Sequence, residues 1–228
     1  MFGIYFSPTR TFERLKEKPV WLVPLIIVLV ANLAVTALSI QYVDWDSQRE
    51  AAIERMQERG MTEEQIDEAT ERMGTFYDNP MMKTVFPMVG ALITMVIGIL
   101  FLTVVFNLGL PLLGASGNFK RTLAVVAHGS LVALPGAVVR AILILLRRSA
   151  EVSTSLMAAF PNLKQGFLAV VLGRIDIFVI WQFILFGLGL KVAFETRGNR
   201  SYWLVFGVWA LVTLVLAALS LLGGATVR

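Results

Sequence analysis

"VWLVPLIIVLVANLAVTALSIQ", residues 20–41, carries no charged side chain from end to end. A helix needs about 20 predominantly apolar residues to cross the hydrocarbon core of a bilayer, so this stretch is long enough to span one. Four further stretches meet the same test, at roughly 84–113, 122–146, 167–191 and 202–224, each bounded by charge, proline or a glycine-rich loop. The expected fold class is all-α: a polytopic integral membrane bundle of five transmembrane helices, one domain over residues 1–228.

Composition points the same way. Hydrophobic residues make up 57% of the chain and charged ones 16%, against roughly 45–50% apolar in an ordinary soluble domain, and the mean hydropathy is +0.73. Cysteine is absent, which excludes disulfides, cysteine nucleophiles, thiolate metal sites and haem attachment. The net charge of +4 is small and dispersed; without a long basic run, nucleic acid is not an expected partner.

Lysine and arginine in short loops set orientation. With the N-terminus inside, the inner segments hold Arg10, Arg14, Lys16 and Lys18, then Lys120 and Arg121, then Lys191, Arg197 and Arg200. The opposite side holds Arg147, Arg148, Lys164 and Arg228, together with arginines diluted in the long acidic loop 42–83. Density therefore favours an N-in, C-out chain, a multi-pass protein of the cell (inner or plasma) membrane whose first partner is the lipid bilayer.

Residues 1–19 are expected to form an interfacial amphipathic segment. Ser7 precedes Pro8 as a helix start, and Phe12 and Leu15 share a face while Arg10, Arg14, Lys16 and Lys18 carry charge. Pro19, Trp21 and, further on, Trp181 are placed at the membrane interface. The apolar run that follows exceeds the core of a usual signal peptide, so it is expected to stay as a span.

Loop 42–83 carries eleven acidic and five basic residues. Ser47 with Glu50 and Thr62 with Gln65 have capping-box spacing, Gly60 separates the two, and Ile53, Met56, Ile66, Ala69 and Met73 give each half a thin apolar stripe. The expectation is an extracytoplasmic acidic helical hairpin. It has three readings: a solvated linker, a dock for a positively charged extracytoplasmic partner, or a flap packed on the protein's own spans.

"GRIDIFVIW", residues 173–181, sets Arg174 and Asp176 inside the fourth apolar stretch. A lone charge near the bilayer centre costs roughly 2.5–3.5 kcal/mol on insertion scales, so it needs a partner or a wet cavity. Arg140 lies about six residues from the outer end of the third stretch and Asp176 about nine into the fourth, comparable depths at about 1.5 Å per residue. Arg140 and Asp176 are therefore the candidate intramembrane pair, with Arg174 snorkelling toward the headgroups. The pair has three readings: a register-fixing bridge, an ion or proton path, or a partner-binding site. Asn32, Asn107, His128 and Gln182 are the other polar residues within spans, and His128 is expected to bond a neighbouring helix. Gly129 with Ala133, and Gly187 with Gly189, allow close helix approach, and Pro135 is expected to kink the third span.

No catalytic constellation emerges. In "GASGNFKRT", residues 114–122, the lysine does not directly follow Gly117 as a phosphate loop requires. Paired-histidine metal motifs and a nucleophile elbow are missing. No catalytic, cofactor-binding or metal-ligating residue is assigned, and the chain is read as a non-enzyme.

Three stretches together resemble the Yip (Ypt-interacting protein) family of five-span membrane proteins: SPTRTFERLKEKPVWLVPLI (7–26), NFKRTLAVVAHGSLVALPGAVV (118–139) and LGRIDIFVIWQFILFGLGLKVAF (172–194). The first has a proline-led amphipathic segment ending in Lys18-Pro19-x-Trp21. The second has a phenylalanine and basic residues before a span with a helix-breaking proline, and the third holds Asp176, Phe178 and Trp181. The resemblance implies a helical bundle with a cytoplasmic N-terminus and contributes no catalytic residues. Eukaryotic members are implicated in vesicle traffic through Rab-type GTPases. The compact chain resembles prokaryotic members, some of which are thought to accompany ABC-type exporters. The expected function is thus a non-enzymatic accessory or scaffold that binds other membrane proteins. The alternative is a small transporter or channel using Arg140 and Asp176. Small-residue helix faces also permit a homo-oligomer.

Overall fold

A computed structural model describes the backbone of residues 3–77, 79–163 and 165–225, and their side chains except 75–77 and 222–225. Eleven α-helices follow in order among them: α1 (Gly3–Phe6), α2 (Pro8–Glu17), α3 (Leu22–Ile40), α4 (Trp45–Glu58), α5 (Glu63–Tyr77), α6 (Pro80–Gly109), α7 (Phe119–Gly129), α8 (Ala133–Arg147), α9 (Phe167–Arg174), α10 (Ile177–Ala193) and α11 (Arg200–Ala225). Short 3₁₀ turns occupy Leu110–Leu113, Ser130–Val132 and Leu156–Ala159. Four helical stretches are long and apolar enough to cross a membrane: Leu22–Ile40, Pro80–Leu113, Phe119–Arg147 and Arg200–Leu221. Ile177–Ala193 is a shorter apolar helix, about 25 Å long at about 1.5 Å per residue, near the low end for a span. The molecule is a polytopic helical membrane bundle.

Helix ends follow local chemistry. The Asn79 side chain accepts from the Met81 amide ahead of Pro80, and Asn118 accepts from Arg121, so both spans begin on a good N-cap. In loop 42–83, Thr62 and Gln65 form the reciprocal box, at 3.0 and 3.4 Å. Ser47 is not a cap. Asp44, three residues earlier, accepts the Ser47 amide at 3.0 Å and starts α4 there. Gly60 turns the chain between α4 and α5 with φ +71, a conformation glycine adopts without strain.

The fourth apolar stretch departs from expectation. It is not one helix over 167–191: α9 stops at Arg174, Ile175 and Asp176 are extended, and α10 begins at Ile177. Asp176 is the N-cap, and its Oδ1 accepts the amides of Phe178 (2.7 Å) and Val179 (3.3 Å). Aspartate is weak inside a helix and strong at its start because its short carboxylate competes for nearby amides. An isolated antiparallel bridge between Ser155 and Asp176, with the Leu156 amide bonded to the Ile175 carbonyl at 2.8 Å, holds the break extended. Arg174 and Asp176 therefore do not share a helix.

Helix packing sets the order of the elements around the core. α10 packs on α2, α7, α8 and α11, while α3 packs on α6 and α8. The C-terminal ends of α2 and α10 meet the start of α7, and the opposite end joins the chain after α8 to the chain after α3, Ala150 amide to Tyr42 carbonyl at 3.2 Å.

The apolar face of the N-terminal segment packs on protein. Phe12 and Leu15, the apolar face of α2, are buried at 0% and 3% exposure against the bundle. An amphipathic stripe serves a protein surface as well as a membrane surface, and here Gly189 makes the room. A Cβ on Gly189 would lie 2.8 Å from Phe12 Cε1 and 2.5 Å from Val125 Cγ1. Gly129 likewise abuts the Phe186 ring, and Gly187 the Tyr202 ring.

Candidate functional site: a polar cavity among the spans

Faces of three helices, with Met95 of α6, line a cavity of about 260 Å³. α3 presents Val28, Ala31, Asn32 and Val35, α8 presents Ala133, Gly136, Ala137 and Arg140, and α10 presents Phe178, Val179 and Gln182. These spacings are the i, i+3, i+4, i+7 rows of single helix faces. Small residues on α3 and α8 leave the space, and Asp176 and Thr154 add polar groups to the lining.

Its polar groups differ in how far the protein satisfies them. Asp176 is 9% exposed. Besides its two amide bonds it accepts the Thr154 hydroxyl on Oδ2. Gln182 donates its amide nitrogen to Ser130 Oγ at 3.1 Å, which ties α10 to the bend between α7 and α8. Asn32 Oδ1 is buried with no hydrogen-bond partner among the described residues. Arg140 lines the cavity from an exposed position. The ion pairs among the described residues are Lys16–Glu195 and Arg72–Glu68. Arg140 and Asp176 thus share one cavity but are not within ion-pair distance, and the carboxylate serves instead as the cap of α10. These groups can bind a ligand; none forms a nucleophile–base pair.

The other sequence-predicted residues lie outside it. Arg174 is exposed at the end of α9. Asn107 Oδ1 accepts from Thr122 Oγ1 at 3.2 Å, linking α6 to α7. His128 is buried and its Nδ1 bonds the Ala124 carbonyl at 2.9 Å, one turn back in its own helix and not on a neighbour. Since a carbonyl only accepts, that bond assigns the proton to Nδ1. Trp181 is half-buried with its ring edge-on to Tyr5, centroids 6.0 Å apart, inside the bundle. Pro19 and Trp21 are half-buried just ahead of α3.

A second polar cluster was not foreseen. Arg121 donates to the Lys16 carbonyl (3.0 Å) and the Ala193 carbonyl (3.4 Å), near the C-terminal ends of α2 and α10. Its guanidinium lies 5.4 Å from the Phe194 ring centroid. Beside it, Lys16 pairs with Glu195 at 2.6 Å. A cation at two helix C-termini satisfies free carbonyls and complements both dipoles. The hydrogen bond and charge of Lys16 hold the Glu195 carboxyl below its usual value. In the sequence Arg121 counts only as one more basic loop residue.

Comparison with known proteins agrees with this architecture. The Yip1 domain matches residues 2–219. The chain is 26% identical over 233 residues to "Membrane protein YknW" of Bacillus subtilis (strain 168), covering 99% of this chain and 93% of that protein. No solved structure matches it. With the Yip1 domain running over nearly its whole length, the chain belongs to the Yip1-domain family of membrane proteins.

Proposed function

We propose that this protein is a non-enzymatic accessory protein of the cell membrane, N-terminus inside, that binds another membrane protein through the hairpin α4–α5 on the outer side. The hairpin carries this reading. α4 has no buried residue and packs chiefly on α5, which in turn touches α6. Asp46, Glu50, Glu54 and Glu58 recur every fourth residue at exposed positions of α4, and Glu63, Glu64, Asp67 and Glu68 are exposed on α5. Like charges at i, i+4 cost a few tenths of a kcal/mol each in an isolated helix, so the row does not serve the helix's own stability. A basic surface on a partner relieves it and speeds encounter. The family resemblance suggests an exporter of the ABC type as that partner.

Purification of the tagged full chain from native membranes in mild detergent, beside a chain lacking residues 47–74, tests this. A stoichiometric membrane protein retained by the first and lost by the second supports it. Absence of any specific companion from the full chain contradicts it.

The cavity favours a second reading, a small transporter using Arg140 and Asp176. Solute flux in vesicles that survives Arg140→Ala unchanged would reject it.

A further inference from the structure

The cavity holds more hydrogen-bonding capacity than the protein uses. Arg140 offers the five donors of a guanidinium, and no hydrogen bond or ion pair among the described residues engages them. Asn32 Oδ1 is buried and unpartnered. Gln182 spends its nitrogen on Ser130 and leaves its oxygen for the cavity. Burying an unpartnered oxygen such as Asn32 Oδ1 between spans costs free energy unless something answers it, and the exposed Arg140 guanidinium beside it is free to engage a ligand.

Three observations define what fits. The lining is itself of mixed charge, with the Arg140 guanidinium and the Asp176 carboxylate on one cavity. At about 260 Å³ the space lies just under the roughly 300–1,000 Å³ of sites for drug-sized ligands, the scale of a headgroup. Arg140 also follows Val138 and Val139, which are 59% and 39% exposed, so the cavity opens near an apolar surface that faces lipid.

We infer that this cavity binds a zwitterionic phosphodiester whose far end donates hydrogen bonds, the chemistry of a phosphoethanolamine lipid headgroup. The Arg140 fork takes the phosphate. Asn32 Oδ1 and Gln182 Oε1 accept from the ammonium, whose charge also complements Asp176. The site is independent of the hairpin, so removing residues 47–74 leaves lipid binding intact whatever becomes of partner binding.

The test follows the thermal midpoint of the purified full chain in mild detergent. It is titrated with phosphatidylethanolamine, with phosphatidylcholine of the same acyl chains, and with inorganic phosphate. Phosphatidylethanolamine should raise the midpoint. Phosphatidylcholine, whose quaternary ammonium has no N–H, should need about tenfold more lipid for the same shift, and Arg140→Gln should weaken the ethanolamine lipid by about tenfold or more, the scale of a lost charge-assisted bond. Ala137→Leu fills the cavity while keeping every polar group, and should abolish the shift. The lipid-free midpoint of Arg140→Gln, expected near that of the parent because the residue is exposed, certifies its fold. Equal responses of parent and Arg140→Gln would overturn the inference. Equal potency of the two lipids would overturn the donor end group. A shift from inorganic phosphate as large as the lipid's, and lost in Arg140→Gln, would assign the site to free phosphate and overturn the lipid.

Discussion

The phenol of Tyr5 donates a 2.5 Å hydrogen bond to the carbonyl of Leu131, 126 residues away in sequence. That carbonyl lies four residues before Pro135, which has no amide to return to it. Proline thus opens the third span at the 3₁₀ turn Ser130–Val132, where the Ala133 amide turns back to the Ser130 and Leu131 carbonyls, and Tyr5 of α1 brings a second donor to Leu131. Ser130 in the same turn receives Gln182 of α10, so the bend is where the N-terminal segment, the third span and α10 are joined.

Tyr5→Phe should lower stability by about 0.5–1.5 kcal/mol, the net worth of one hydrogen bond, read as a lower thermal midpoint in detergent. In a Pro135→Ala background the restored amide can serve Leu131, so Tyr5→Phe should cost less there. A double-mutant cycle measures that coupling directly; additive effects would reject the link.

At Asp176, the carboxylate has two descriptions that separate experimentally. As an N-cap, Asp176→Ala should cost about 0.5–2 kcal/mol while Asp176→Asn costs little, since asparagine caps nearly as well. Were its charge the essential property, Asn and Ala would be equally harmful.

Gly189→Ala should destabilise by about 1–3 kcal/mol through overpacking, because its Cβ would meet Val125 Cγ1 at 2.5 Å and Phe12 Cε1 at 2.8 Å. Phe12→Leu in the same chain should recover part of the loss. Faster proteolysis of residues 3–17 in Gly189→Ala checks that the N-terminal helix is what loosens.

Lys16 and Glu195 make the docking of α2 dependent on pH. The hydrogen bond from Lys16, then its charge, depresses the Glu195 carboxyl below its usual 4.5. A depressed acid stabilises the fold above its unfolded value and loses that contribution as pH falls through the folded one. Protection of the N-terminal helix from protease should therefore weaken below about pH 4.5. In Lys16→Gln the dependence should flatten. Because the Glu195 side chain is 75% exposed, the effect should be small and should fade in high salt.

How far the sequence carried this picture varied with the length scale of the signal. Charge-free runs such as 20–41 reported spans directly, because the bilayer taxes every residue in them. Gly129, Gly187 and Gly189 were legible as packing positions for the related reason that only small residues let helices touch. The break at Ile175-Asp176 was not, since Asp176 reads equally as a charge inside a span, and the loop that holds the break extended, through Leu156 and Thr154, is distant in sequence. Counting residues gave Arg140 and Asp176 similar depths but could not show that Asp176 caps α10 and lies beyond ion-pair reach of Arg140. The destination of Phe12 and Leu15 was equally hidden, because one stripe fits lipid or protein. Arg121 acquires its role only when two distant helix ends converge on it.

A photo-crosslinking residue placed at Glu54, on the exposed acidic row of α4, tests the proposed role most directly, with Val215 on the exposed face of α11 as the lipid-facing control. In intact cells the account predicts one discrete crosslinked membrane protein from position 54, lost when Asp46, Glu50 and Glu58 are changed to lysine, and lipid adducts from position 215. A position 54 that captures no specific protein would contradict the hairpin as a dock and, with it, the accessory role.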